Sequence, residues 1–176
     1  MRAAAAAAAP EERIGTRFQM RQRFFTIGDR FFIENDQGQR AFRVENNILR
    51  VRTTLRFQDM QGNDIYKIQE KLARIRDTMN IEDANGNVVA TVHNALITPL
   101  RDRWKINVRG SDNLMTRGNI LNHEYKIERD GAPVAVVSKR WFRLRDTYGV
   151  EVASSEDSLL MLAITVVVDM MAHSGR

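Results

Sequence analysis

Residues 154–173 read SSEDSLLMLAITVVVDMMAH, and the interpretation of this stretch decides the fold. From 159 to 168 every residue except Thr165 is apolar, and Met170, Met171 and Ala172 extend the run past a single acid, Asp169. No polar face recurs at helical spacing, so a helix here must be buried on all sides. The run falls short of the ~20 residues that cross a bilayer, and apolar segments of about 10–14 more often belong to protein cores. Thr165, Val166, Val167 and Val168 are β-branched and favour a strand. Against them stand the helix formers at 159–163 and a length beyond the ~5–6 residues of an ordinary strand. Ser154 or Ser155, followed by Glu156 and Asp157, predicts an N-cap with acids in the first turn, where the helix dipole favours them. Ser174-Gly175 predicts the stop.

Upstream, the chain alternates strand patterns with turns. Phe31-Phe32-Ile33-Glu34 leads through Asp36-Gln37-Gly38 to a second run at 41–44. The same plan recurs at Leu55-Arg56-Phe57-Gln58 with Gly62, at Met79-Asn80-Ile81-Glu82 with Gly86, and at Tyr125-Lys126-Ile127-Glu128 with Gly131. Each is a hairpin signal, a glycine supplying positive φ between two alternating runs. Gly38, Gly62 and Gly86 are spaced by 24 residues, an internal repeat with one hairpin per unit. Gly131 breaks the spacing, so 95–121 reads as an interruption. Further strands are expected at 17–24, 48–52, 103–108, 140–145 and 148–152, about a dozen in all. An open sheet of that size would expose two long edges, and closure removes them. A closed cylinder of ~12 strands leaves a lumen wider than side chains fill, and the apolar helix fits it. The predicted fold is therefore mainly β, a closed antiparallel barrel around a central C-terminal helix.

The chain has 176 residues, no cysteine and a formal charge of +5, with 27 basic against 22 acidic residues. Absent cysteine excludes disulfide frameworks, thiolate catalysis and Cys-ligated metals, and fits a reducing compartment. Residues 1–16, with seven consecutive alanines before Pro10-Glu11-Glu12, read as a flexible leader, and 17–176 as one barrel domain. His93, His123 and His173 share no ligand spacing, and no nucleotide-binding, hydrolase or zincin motif occurs. No cofactor and no enzymatic activity are expected. The expected location is the cytoplasm, at most peripheral to a membrane.

Lys139, Trp141, the run Asp146-Thr147-Tyr148-Gly149-Val150-Glu151-Val152, the Glu156-Asp157 cap and the apolar helix ending at Asp169 together resemble the LURP-one-related family of the Tubby-like C-terminal superfamily. The turns Gln58-Asp59-Met60-Gln61-Gly62 and Glu82-Asp83-Ala84-Asn85-Gly86 fit the same pattern. The resemblance spans about 18–171 and implies a twelve-stranded barrel around a hydrophobic helix. The superfamily includes Tubby proteins, which bind phosphoinositides, and phospholipid scramblases. Scrambling by this chain is disfavoured, because its apolar segment is claimed by the core.

Basic residues recur at strand spacing: Arg50, Arg52 and Arg56; Arg74 and Arg76; Arg101, Arg103 and Lys105; Arg143 and Arg145. Each set points to one face, where it is either a solvated surface or a contact for anionic headgroups. The densest is Lys139-Arg140-Trp141-Phe142-Arg143-Leu144-Arg145, whose aromatic suits a membrane interface. Lys139, Arg140, Arg143 and Arg145 are the expected site for anionic phospholipid or a phosphorylated small ligand. The alternative is a protein-interaction scaffold using exposed strands or a loop at 99–122. Nucleic-acid binding is disfavoured by the modest net charge. Scramblases carry an acidic stretch proposed to bind calcium; the corresponding Asp146, Glu151, Glu156 and Asp157 offer hard oxygen ligands, although helix and strand roles already explain three of them. Asp169, if buried, requires a partner such as an arginine; at a barrel mouth it would not.

Overall fold

The computed structural model of the chain describes residues 13–21, 30–49, 52–71, 78–98, 101–142 and 146–174. Twelve strands precede one helix: β1 (Gly15–Arg21), β2 (Arg30–Asn35), β3 (Arg40–Leu49), β4 (Arg52–Gln58), β5 (Asp64–Glu70), β6 (Thr78–Asp83), β7 (Val88–Thr98), β8 (Arg101–Val108), β9 (Leu114–Asn119), β10 (Glu124–Arg129), β11 (Ala132–Ser138), β12 (Thr147–Ala153) and α1 (Ser158–Ser174). Every sequential pair is antiparallel, and β1 returns to β12 with Phe18 opposite Val150, so the sheet closes without an edge. Alternation places Ile33, Leu55, Ile68, Ile81, Ile106 and Ile127 fully inside.

The 24-residue repeat is a hairpin with two fixed devices. Asn35, Asp59 and Asp83 each turn a side-chain oxygen onto the backbone N–H four residues on, at 2.9, 2.8 and 2.9 Å. Gly38, Gly62 and Gly86 follow at φ of 76°, 93° and 81°, a left-handed geometry that a side chain would strain. A β-bulge sits just before each turn acid or amide, at Ile33/Glu34, Phe57/Gln58 and Ile81/Glu82. The period does not stop at Gly86. Gly110 lies 24 residues further, at φ 72°, in the turn between β8 and β9, so the expected interruption at 95–121 is two regular strands, and the expected loop at 99–122 is not one. Residues 48–49 complete β3 instead of founding a separate strand, and β11 ends at Ser138, so 139–142 is a turn rather than the start of a strand at 140.

The four turns of these units and the β10–β11 turn at Gly131 lie at one end of the cylinder. β12 runs toward that end, so 154–157 leads α1 into the lumen there and the helix travels back to the other end. Residues 161–170 are buried throughout, as the all-round apolar pattern requires. The β-branched residues cost a few tenths of a kcal/mol each in helix propensity, while complete burial of each contributes about 1.5–3 kcal/mol, so burial decides. Thr165 satisfies its hydroxyl by donating to the Met161 carbonyl at 2.9 Å. The cap differs from expectation. Asp157 itself is the N-cap, its Oδ1 accepting from Leu159 N at 2.9 Å and Leu160 N at 3.3 Å, and no acid lies in the first turn.

Candidate functional site

Of the four residues expected to hold an anion, Lys139 and Arg140 are described; Arg143 and Arg145 lie outside the described residues, as do Arg50, Arg74, Arg76 and the side chains of Arg52 and Arg101. Arg140 is exposed, with Nε 3.6 Å from Glu124. The same carboxylate takes the Ser138 hydroxyl and the Lys139 N–H, each at 3.0 Å, which pins the turn to β10. Trp141 and Phe142 then fold back over β12. A Cβ on Gly149 would stand 2.5 Å from the Trp141 ring and 2.7 Å from that of Phe142, so glycine is what allows this contact. The Arg17 guanidinium covers the other side of Trp141 at 4.0 Å. Trp141 is therefore part of a strap against the outer wall, half-buried there.

Beneath the strap, Glu151 is buried although it points outward from β12. It accepts from the Ile14 and Gly15 N–H groups and from Arg17 Nε and Nη2 at 2.9 and 2.6 Å. Glu156 forms a forked ion pair with Arg129, and Asp157 caps the helix. Near that cap, burial and then the Asp157 charge push the Tyr66 phenol up to about 12. Asp146 is exposed at φ 59°. Three of the four acids proposed for calcium thus serve separate partners, and among the described residues no three acidic or histidine side chains form a metal-ligand group.

Asp169 is buried, and its partners are not arginines. Tyr148 donates its hydroxyl to Oδ2, and His123 Nε2 lies 3.3 Å from the same oxygen. His123 sits at φ 53° in the β9–β10 loop, stacked 5.3 Å from His173, whose Nδ1 donates to the Asp169 carbonyl at 2.7 Å. Burial and then the Asp169 charge hold both Tyr125 and Tyr148 well above the ordinary phenol range. This cluster fastens the far end of the helix to the barrel.

A concavity opens on the outer wall, across β8, β9 and β10. Its volume is about 310 Å³. Register aligns Lys105, Met115 and Glu128 in a row across three strands. Arg103 and Arg117 stand one step along, and Asp130 closes the turn end. Met115, 40 % exposed, forms an apolar floor. The β8–β9 ladder is short, and the Thr116 hydroxyl accepts the Trp104 N–H at 2.9 Å in the manner of a main-chain carbonyl. Arg117 lies 3.6 Å from Glu128. Arg103, Lys105 and Asp130 have no ion pair or side-chain hydrogen bond among the described residues. His93, opposite Lys105 on β7, is depressed by burial and by that lysine. Sequence reading found the Arg103 and Lys105 stripe; it missed Met115, Arg117, Glu128 and Asp130, which only strand register brings to it.

A closed cylinder of twelve strands filled by an apolar helix, with polar chemistry confined to its mouth and outer wall, defines a class of helix-plugged β-barrels. A family model described as LURP-one-related matches residues 16–169, and the chain belongs to that family. A solved protein from Arabidopsis thaliana is similar in fold, with a TM-score of 0.63 at 13 % identity over 89 % of this chain and 91 % of that one. No curated protein matches. Among the described residues no helix is long and apolar enough to cross a membrane.

Proposed function

We propose that the protein is a non-catalytic binding barrel that takes a phosphate-bearing anion on its outer wall, whether the headgroup of an anionic phospholipid or a small phosphorylated molecule. The observation that carries this reading is the β8–β10 cleft, where Arg103 and Lys105 face a concavity with no carboxylate partner of their own among the described residues. Two unpaired cations beside an apolar floor attract a doubly charged phosphate and leave room for its organic substituent. Lys139 and Arg140, with Arg143 and Arg145, form a second basic set that the same reading assigns to a supporting contact with an anionic surface.

Flotation with phosphatidylcholine vesicles, with and without phosphatidylserine, tests the lipid source; titration with glycerol 3-phosphate, followed by the Met115 methyl resonance, tests the soluble one. Preferential flotation at low salt, or a saturable shift of Met115, is expected, and both weaken as salt shortens the screening length. Charge reversal in R103E/K105E removes two contributions of ~1 kcal/mol, about 30-fold in affinity. Identical flotation on both vesicles together with an unmoved Met115 resonance would sink the proposal.

A further inference from the structure

The cleft is divided by charge. Its β8 wall carries Arg103 and Lys105, and its β10 wall carries Glu128 and ends in Asp130. Arg117 and Glu128 face each other at 3.6 Å and offset one another. What is left is two positive charges on one side and one negative charge, Asp130, on the other. A simple phosphate ester satisfies the first and leaves the second facing the ligand's own negative field, a like-charge approach that weakens binding.

Resting on the anion-binding reading above, we infer that the cleft selects a ligand presenting two negative charges and one ammonium, an aminoalkyl phosphate or a headgroup of the same charge pattern. The phosphate lies against Arg103 and Lys105 and the ammonium against Asp130, with the connecting carbons over Met115. A phosphate monoester carries a charge of about −1.5 to −2 at neutral pH, which matches the two cations. A volume of about 310 Å³ holds a ligand of this size with its hydration, at the small end of the ~300–1,000 Å³ spanned by ligand sites.

The test compares O-phosphoethanolamine with glycerol 3-phosphate, similar in size but carrying hydroxyls where the first has an ammonium, on the full chain and on D130N. Asn tolerates the left-handed backbone at this position, φ 51°. The expected result is a preference for phosphoethanolamine of about threefold to fivefold, the range of one solvent-exposed ion pair. The preference should vanish in D130N, with glycerol 3-phosphate binding retained. Vesicles of phosphatidylserine against phosphatidylglycerol supply the lipid arm; stronger retention on the first, reduced to equal retention by D130N, assigns the pattern to a membrane headgroup. Equal affinity of the parent chain for both phosphates, or a preference that survives in D130N, overturns the selectivity and leaves anion binding standing. Binding of neither probe and of neither vesicle overturns both.

Discussion

The three tyrosines of the chain all sit where ionisation is opposed. Tyr125 and Tyr148 are buried beside Asp169, and Tyr66 stands near Asp157. In each case the fold holds the neutral phenol, so the folded pKa exceeds the unfolded value of ~10. The resulting stability is complete below pH 10 and is lost as pH rises through the folded values, beginning with Tyr66 at about 12. A near-ultraviolet titration of the native protein should therefore show no tyrosinate step at pH 10, whereas the denatured chain should show all three. A native step at pH 10 would contradict the burial described here. At this scale the sequence was only partly readable. Asp169 stood out as an acid in an apolar run, but its partners came from a loop 46 positions upstream and from β12. No local pattern announces that pairing, so the example of an arginine partner offered for a buried Asp169 is replaced by a tyrosine and a histidine. The positive φ of His123 was equally hidden, since histidine gives no turn signal comparable to glycine.

Among the elements, the plug helix was the most legible, because ten successive buried positions require an apolar residue at nearly every one. Leu162, in its first half, has no exposed surface. L162A should cost about 3–4 kcal/mol, the lost transfer free energy together with a cavity that rigid strands cannot close; urea unfolding measures it, and a loss under 1 kcal/mol would place this residue outside a tightly packed lumen. The cap was misjudged by two or three positions, since Ser154, Ser155 and Asp157 all satisfy the composition of an N-cap, and choosing among them depends on where β12 releases the chain. The hairpins were legible through their glycines. Gly110 escaped although Asn107 precedes it by three residues, as Asn35, Asp59 and Asp83 precede the other glycines of the repeat.

For the molecule as a whole, the decisive join is between β1 and β12. Glu151 gathers the backbone N–H groups of Gly15 in the first strand and of Ile14 just before it, with the Arg17 guanidinium, into one buried carboxylate. E151Q removes the charge and places an amide against those donors, so it should cost about 2–3 kcal/mol in denaturant unfolding. Coupling to R17M in a double-mutant cycle should recover most of that loss, and strictly additive effects would deny the clasp. The join was visible in outline, as a sheet too large to remain open. Its chemistry was not, because Glu151 reads as an ordinary outward residue of an alternating strand until the Trp141 strap is laid over it. The β8–β10 cleft was unreadable for a related reason: Lys105, Met115 and Glu128 become neighbours through register alone.

That join links residues 134 positions apart. Strands made early by the ribosome can zip into hairpins, but the cylinder lacks both its stopper and its last stave until the final segment has emerged. Until then the growing sheet is a trough with an oily floor and unpaired rims, the form in which β proteins are most prone to aggregate. Completion is a late event dominated by distant contacts, which makes it slow. The newborn chain is thus most vulnerable in the interval before β12 and α1 have emerged, when holdase chaperones would have the most to protect.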